Sequence, residues 1–163
     1  MSSTRPILLL CALSLLPSLA GCGASEPRQP RPAGHVVEIG GQEVVVEIAA
    51  DQERRRRGLM YRDGLGENRG MLFIFAAPQP QSFYMKNCRF DIDIAYIDDD
   101  GVIVRTYTMR HHPPGFSGPF TYYRCDTPVR YVLEVDGGWL DAHGVKEGDR
   151  VKGYAGPESV VVR

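Results

Sequence analysis

Short runs of β-branched and aromatic residues, each closed by a turn residue, most constrain the fold of this chain. Residues 36–48 contain two such runs that meet at Gly40-Gly41, a pattern typical of a two-residue hairpin. Further strands are predicted at residues 71–75, 82–86, 92–97, 102–109, 129–135, 150–154 and 159–162. The sequence therefore predicts a mainly β protein, a single compact antiparallel β-sandwich or barrel with one or two short helices.

Two short helices are compatible with this pattern. Asp51 can cap a helix over residues 51–57, and Gly58 can end it. Residues 138–143 fit one helical turn. The 18 glycines and 12 prolines argue against long helices.

The charge balance excludes several protein classes. The chain of 163 residues has 19 Lys and Arg, 20 Asp and Glu, and a formal net charge of −1. With 43% hydrophobic residues, this excludes a collagen-like chain, a disordered polyelectrolyte and a multi-span membrane protein. It also argues against a nucleic-acid partner, because there is no basic excess.

The N-terminal segment predicts export and lipidation. An apolar run from Ile7 to Ala20 ends in Leu19-Ala20-Gly21-Cys22, and it is too short to span a bilayer comfortably. This resembles the lipobox of bacterial lipoproteins, which implies removal of residues 1–21 and lipidation of Cys22. The alternative is an ordinary signal peptide followed by an incidental cysteine.

Three segments are predicted on this basis. Residues 1–21 form the lipoprotein signal peptide, residues 22–34 the lipidated cysteine with a Pro-rich tether, and residues 35–163 the β domain. The lipid would make the membrane a partner, with the protein anchored in the cell envelope. Because Gly23 follows the cysteine, the resemblance implies the periplasmic side of the outer membrane if the organism is Gram-negative.

Two cysteines remain in the β domain. Because the leader indicates an oxidising compartment, a disulfide between Cys88 and Cys125 is predicted. The alternative is a pair of buried free thiols, since sequence cannot show the distance between the side chains.

Two further patterns suggest chemistry only weakly. Asp91 and Asp93 alternate with Ile92 and Ile94, so their carboxylates should share one face of a strand and could do acid–base chemistry. Met109, His111 and His112 have side chains that suit copper, but no closed ligand cluster accompanies them. Neither a metal nor a cofactor is predicted.

Several motifs follow one another along the chain: Arg55-x-Arg57-Gly58-Leu59-Met60-x-Arg62, Gly70-Met71-Leu72-Phe73-x-Phe75, Phe83-Tyr84-Met85-Lys86-Asn87, Asp93-Ile94-x-Tyr96-Ile97-Asp98-x-x-Gly101, Tyr131-Val132-Leu133-Glu134, Gly138-Trp139 and Gly148-Asp149. Together they resemble the DUF192 family, a prokaryotic domain of unknown function. The resemblance runs over about residues 36–153. It implies a compact, mostly β domain, often exported or lipid-anchored, and supplies no catalytic residues.

The chain departs from the family pattern at three positions. Tyr84 stands where tryptophan is usual, Cys88 where threonine is usual, and Asp91 where proline is usual. Cys88 therefore looks like a local addition, which fits a lineage-specific disulfide. The extra carboxylate at Asp91 puts any family ligand site beside Asp93 in doubt.

Polar residues at predicted element ends define a candidate ligand site. Arg57 ends the first helix, Met85, Lys86 and Asn87 end a strand, and Asp93 lies in the next strand. Together with nearby aromatic residues they could form a pocket for a small polar ligand. The alternative is that they only fix a turn through hydrogen bonds and an ion pair.

The sequence thus favours an envelope lipoprotein whose β domain binds a small ligand or an envelope protein, and it favours a binding role over an enzymatic one. Two other hypotheses stay open. One is an envelope hydrolase that uses Asp91 and Asp93. The other is a copper-binding accessory protein.

Overall fold

A computed structural model describes residues 34–153 of the chain. The predicted signal peptide, Cys22, most of the tether and the predicted strand at 159–162 lie outside the described residues. Within them, no helix is long and apolar enough to cross a membrane. The elements are β1 (His35–Ile39), β2 (Gln42–Ala49), α1 (Gln52–Arg57), β3 (Arg69–Phe83), β4 (Ile92–Ile97), β5 (Ile103–Met109), β6 (Tyr123–Asp136) and α2 (Trp139–Ala142).

The strands form one six-stranded sheet in the order β1-β2-β3-β6-β4-β5. Every pair is antiparallel except β2 with β3, which are parallel because α1 and the following loop carry the chain back before β3 begins. Residues 148–152 hydrogen-bond both to Glu38 of β1 and to residues 101–103 beside β5, which links the two edges of the sheet. The predicted compact, mainly β domain with two short helices is confirmed.

The central strands are buried on both faces, which explains why they read as nearly continuous apolar runs. Alternate residues of β3, β6 and β4 pack into two separate cores. The first core contains Leu72, Leu133 and Ala95, among others. The second core, on the opposite face, contains Phe73, Val132, Tyr96 and Met85.

Helix α1 is fixed on the sheet by polar contacts. The Asp51 side chain accepts a hydrogen bond from the Arg54 N–H at 2.8 Å, which caps the helix as predicted. Gly58 ends the helix with a φ of 46°, a conformation that favours glycine. The Arg55 guanidinium donates hydrogen bonds to the carbonyls of Ala50 and of Ile74 in β3. These contacts fix the position of α1 relative to β3.

Strand β3 joins two segments that the sequence separates. The predicted strand at 71–75 and the start of the one at 82–86 are one 15-residue strand, with register irregularities between Ile74 and Gln81. Its second half pairs with β6 on one side, whereas its pairing with β2 stops at Phe73. Pro78 and Pro80 lie in this second half and remove two backbone donors.

The structure does not contain the predicted Cys88–Cys125 disulfide, because both cysteines are free thiols. The two sulfur atoms point to different backbone acceptors. Cys88 Sγ lies 3.6 Å from the Lys86 carbonyl, and Cys125 Sγ lies 3.4 Å from the Thr127 carbonyl. The alternative of two shielded thiols fits this arrangement: Cys125 is buried, and Cys88 is partly buried.

Candidate functional site

A cavity of about 390 Å³ opens where α1 and the loop after it face the end of β3. The wall is largely apolar and overlaps the second core at Leu59, Phe73 and Met85. Phe73 and Phe83 meet edge to face with their ring centroids 5.0 Å apart. A cavity of this size and composition suits a small organic ligand.

Three cations at the rim of this cavity have free side chains. Arg56, Arg57 and Lys86 line the cavity and are exposed. Within residues 34–153, none of the three side chains makes an ion pair or a hydrogen bond. Arg55 differs, because its guanidinium is held by two carbonyls and lies 5.3 Å from the centroid of the Phe75 ring. The rim can therefore attract an anion through three uncommitted charges.

The carboxyl group of Glu134 lines the same cavity from the sheet. Glu134 sits on β6 opposite Met71 of β3 and Ile94 of β4, and it is only 4% exposed. Its side chain has no hydrogen-bond partner in the described part of the chain. Burial raises the pKa of Glu134 to about 8, so near pH 7 the group is mainly protonated and can donate a hydrogen bond.

A second polar group in the wall is also unsatisfied. The Nε2 atom of Gln81, on the irregular part of β3, is buried without a hydrogen-bond partner among the described residues. A buried donor without a partner costs about 1–3 kcal/mol. Glu134 and Gln81 thus offer the cavity two polar groups that the protein itself leaves unused.

A second cavity of about 400 Å³ lies beside the first and shares Met85 and Cys88 with it. Its other residues are aromatic, polar or part of the Pro/Gly-rich loop after β5. They are Tyr61, Asn87, Arg89, His111, His112, Pro113, Pro114, Gly115 and Phe116. Burial, with the nearby Glu134 as a second cause, raises the pKa of Cys88 to about 12, so the shared thiol stays protonated.

The structure brings together part of the predicted ligand set. Arg57, Met85 and Lys86 line the first cavity, and Asn87 lines the second, together with Met85. Asp93 lines neither cavity.

Asp93 is instead buried in the sheet with its carboxylate fully engaged. It is 1% exposed and accepts hydrogen bonds from Thr108 Oγ1 at 2.7 Å and from the Leu140 N–H of α2 at 2.9 Å. These contacts give Asp93 a structural role, but they join β4 to β5 and α2 instead of fixing a turn, and both donors are uncharged.

The aspartates proposed for hydrolysis are also outside both cavities. Asp91 pairs with Arg110 at 2.6 Å and with His111. The hydrogen bond from the His111 N–H is the largest cause that lowers the pKa of Asp91 to about 2. Glu134 is the one carboxyl group among the lining residues of the two cavities, whereas glycoside hydrolysis commonly uses a pair.

The residues considered for copper are also committed elsewhere. Met109 is buried in the second core, His111 contacts Asp91, and the His112 ring stacks on Phe116 at 4.0 Å. Among residues 34–153 there is no group of three or more His, Cys, Asp or Glu that could hold a metal ion.

The two polar groups inside the first cavity are not among the residues predicted from the sequence. Glu134 carried a signal, because it is the one charged residue in the apolar run from Tyr131 to Val135. Gln81 carried none, since its position depends on the irregular register of β3 against β6.

Together these features define a small β domain with a cation-rimmed, largely apolar cavity. The sequence matches the family DUF192 (Uncharacterized ACR, COG1430) over residues 35–153, so the chain belongs to this family. The resemblance seen in the sequence motifs is thereby confirmed.

Two solved structures are similar to this chain. A putative transcription regulator from Sinorhizobium meliloti 1021 is 31% identical, with a TM-score of 0.64 over 72% of this chain and 90% of that one. A protein of unknown function from Novosphingobium aromaticivorans DSM 12444 is 27% identical, with a TM-score of 0.64 over 72% and 83%. No curated protein matches the sequence significantly.

Proposed function

We propose that this domain is a binding module for small organic anions and that the first cavity is its binding site. One observation carries the proposal: Glu134 and Gln81 present unsatisfied polar groups inside a cavity whose rim holds three unpaired cations. A ligand that supplies the missing partners relieves a cost already present in the free protein.

The positions of these groups define the ligand chemistry. An anionic group would pair with Arg57 and Lys86 at the rim. An apolar body would pack along the aromatic wall formed by Phe73 and Phe83. A carbonyl or hydroxyl oxygen would accept hydrogen bonds from Gln81 Nε2 and the protonated Glu134.

The proposal predicts binding that depends on the ligand's charge. N-acetylphenylalanine has a carboxylate, an apolar ring and an acetyl oxygen, whereas N-acetylphenylalaninamide lacks only the charge. In calorimetric titrations of the full chain at low salt, the acid should bind at least about tenfold more tightly than the amide. Arg57→Ala and Lys86→Ala should each remove most of this preference.

Lys146→Ala is the matched control for the rim variants. Lys146 is exposed after α2 and lines neither cavity, so its loss should leave the preference unchanged. Because Lys86 is exposed and unpaired, Lys86→Ala should change the free energy of unfolding by less than about 0.5 kcal/mol. Equal affinities for acid and amide, or a Lys146→Ala effect as large as that of Lys86→Ala, would refute the proposal.

We further propose that the domain works in the cell envelope, held on the membrane by lipid on Cys22. The support is the sequence alone, namely the apolar leader that ends in Leu19-Ala20-Gly21-Cys22. If the organism is Gram-negative, Gly23 after the cysteine favours the periplasmic side of the outer membrane.

Replacement of Cys22 by alanine should move the protein from the membrane fraction to the soluble fraction. The expected redistribution is nearly complete, because the acyl chains supply the anchoring free energy. Fractionation and intact-mass measurement of both proteins check this, with Cys11→Ala, inside the leader, as the control. An intact initiator methionine without a fatty acid on the wild-type protein would contradict the anchor.

A further inference from the structure

The second cavity adjoins the proposed binding site and is similar in size. The two volumes are about 390 and 400 Å³, and Met85 and Cys88 form walls of both. A ligand that fills the first cavity therefore ends close to the second. A single small anion would leave the second cavity without a role.

Aromatic rings run from one cavity wall to the other. Tyr84 lines the first cavity, and its ring centroid lies 5.5 Å from that of Phe120. Phe120 in turn lies 5.5 Å from both Phe116 and His112, which line the second cavity. Phe116 and Tyr84 are 38% and 39% exposed, so these rings offer apolar faces to a ligand that lies across both cavities.

The two cavities differ in their available charge. The rim cations of the first are unpaired, whereas Arg89 in the second pairs with Asp63 at 3.0 Å and His111 contacts Asp91 at 2.7 Å. The second cavity therefore suits an uncharged unit, while the first suits a charged one.

Unusual backbone geometry holds one wall of the second cavity. Tyr61 and Asn87 have φ values of 65° and 55°, which residues with side chains rarely adopt. The Tyr61 N–H donates to the Asn87 carbonyl at 2.8 Å, and Asn87 Nδ2 donates to Tyr61 Oη at 2.7 Å. This pairing presents the Tyr61 ring, 60% exposed, at the cavity.

We infer that the two cavities together bind an acidic oligosaccharide, with a carboxylated sugar in the first and an uncharged sugar in the second. The inference rests on the proposed function and names its ligand class. The C–H face of a pyranose ring packs on aromatic rings such as Phe116. Planar polar side chains such as Asn87 and Arg89 match the hydroxyl groups around the ring edge.

A peptide fits this surface less well. Peptides commonly bind by adding a strand to an open sheet edge. The open half of β3 beside the first cavity carries Pro78 and Pro80, which lack the N–H groups that such pairing needs.

The test compares one sugar with two. The full chain is titrated with N-acetylmuramic acid, with the disaccharide N-acetylglucosaminyl-N-acetylmuramic acid, and with uncharged N-acetylglucosamine. The disaccharide should bind about tenfold more tightly than the monosaccharide acid, and N-acetylglucosamine should bind weakest. Phe116→Ala should lower disaccharide affinity about tenfold and leave that of N-acetylmuramic acid unchanged.

Val36→Ala is the control, because it removes an exposed apolar side chain of β1 that lines neither cavity. It should leave both affinities unchanged. Equal affinity for the two acids overturns the inference. Binding of the acidic peptide triglutamate without binding of the disaccharide also overturns it. If N-acetylphenylalanine still binds in a charge-dependent way, the proposed function survives that result. If N-acetylphenylalanine shows no charge-dependent binding either, the inference and the proposed function both fail.

Discussion

Glu134→Gln is expected to stabilise the domain against unfolding at alkaline pH by several kcal/mol. The pKa of Glu134 is about 8 in the folded chain because of burial, against an ordinary value of 4.5. Between these values the unfolded chain has released the proton while the folded chain retains it, so wild-type stability falls as the pH rises. The loss begins near pH 4.5 and is complete above pH 8, and it amounts to about 5 kcal/mol.

Glutamine has nearly the same shape as the protonated acid and carries no titrating group. The two proteins should therefore be similarly stable near pH 4.5, and the variant should be progressively more stable up to pH 8.5. Urea unfolding at four pH values measures the difference in the free energy of unfolding. An unchanged slope of this free energy against urea concentration would show that the unfolded state is unaffected. Glu43→Gln, at an exposed site on β2, is the matched control for the substitution itself. Parallel pH profiles for Glu134→Gln and wild type would show that Glu134 is not held protonated by the fold.

The same residue shows what can be read from the sequence and what cannot. The strands were predictable where apolar alternation or an uninterrupted apolar run defined them, as in β2 and β4. The hairpin at Gly40-Gly41 and the cap at Asp51 were also predictable, since both depend on neighbouring residues. Glu134 stood out in an apolar run, but the cavity that it faces is built by α1 and β3, which are distant in sequence.

The long β3 strand could not be predicted as one element. Pro78 and Pro80 mark a break in most strand patterns, and here they fall where β3 passes through register irregularities against β6. The disulfide prediction was wrong for a similar reason. The compartment suggested by the leader says nothing about side-chain direction, and the thiols of Cys88 and Cys125 face different acceptors.

Only part of the candidate site could be predicted from the sequence, and the reasons are physical. Arg57 ends α1 as predicted, whereas Lys86 lies in the turn after β3 and not at a strand end, and the structure places both at one rim. Asp93 has the same polar character, but its partners Thr108 and Leu140 come from β5 and α2. These partners lie 15 and 47 residues from Asp93 in the sequence, so the contacts cannot be inferred from a local pattern.

Asp93→Ala should therefore act on stability and destabilise the domain by about 4 kcal/mol. The substitution removes two hydrogen bonds and leaves the Leu140 N–H without its acceptor in a buried position, because α2 has no side-chain cap of its own. Urea unfolding of the full chain, compared with wild type, measures the change.

Asp93→Asn separates the hydrogen bonds from the charge. The asparagine oxygen can accept from Leu140, while its amide donates to the Thr108 hydroxyl, so the loss should be only about 1 kcal/mol. Because Asp93 lines neither cavity, this folded variant should bind N-acetylphenylalanine as wild type does. An Asp93→Asn protein of normal stability that had lost binding would instead show that Asp93 contributes to ligand binding from outside the first cavity. That result would require α2 and the first cavity to be coupled through β4, since Ile94 beside Asp93 lies opposite Glu134.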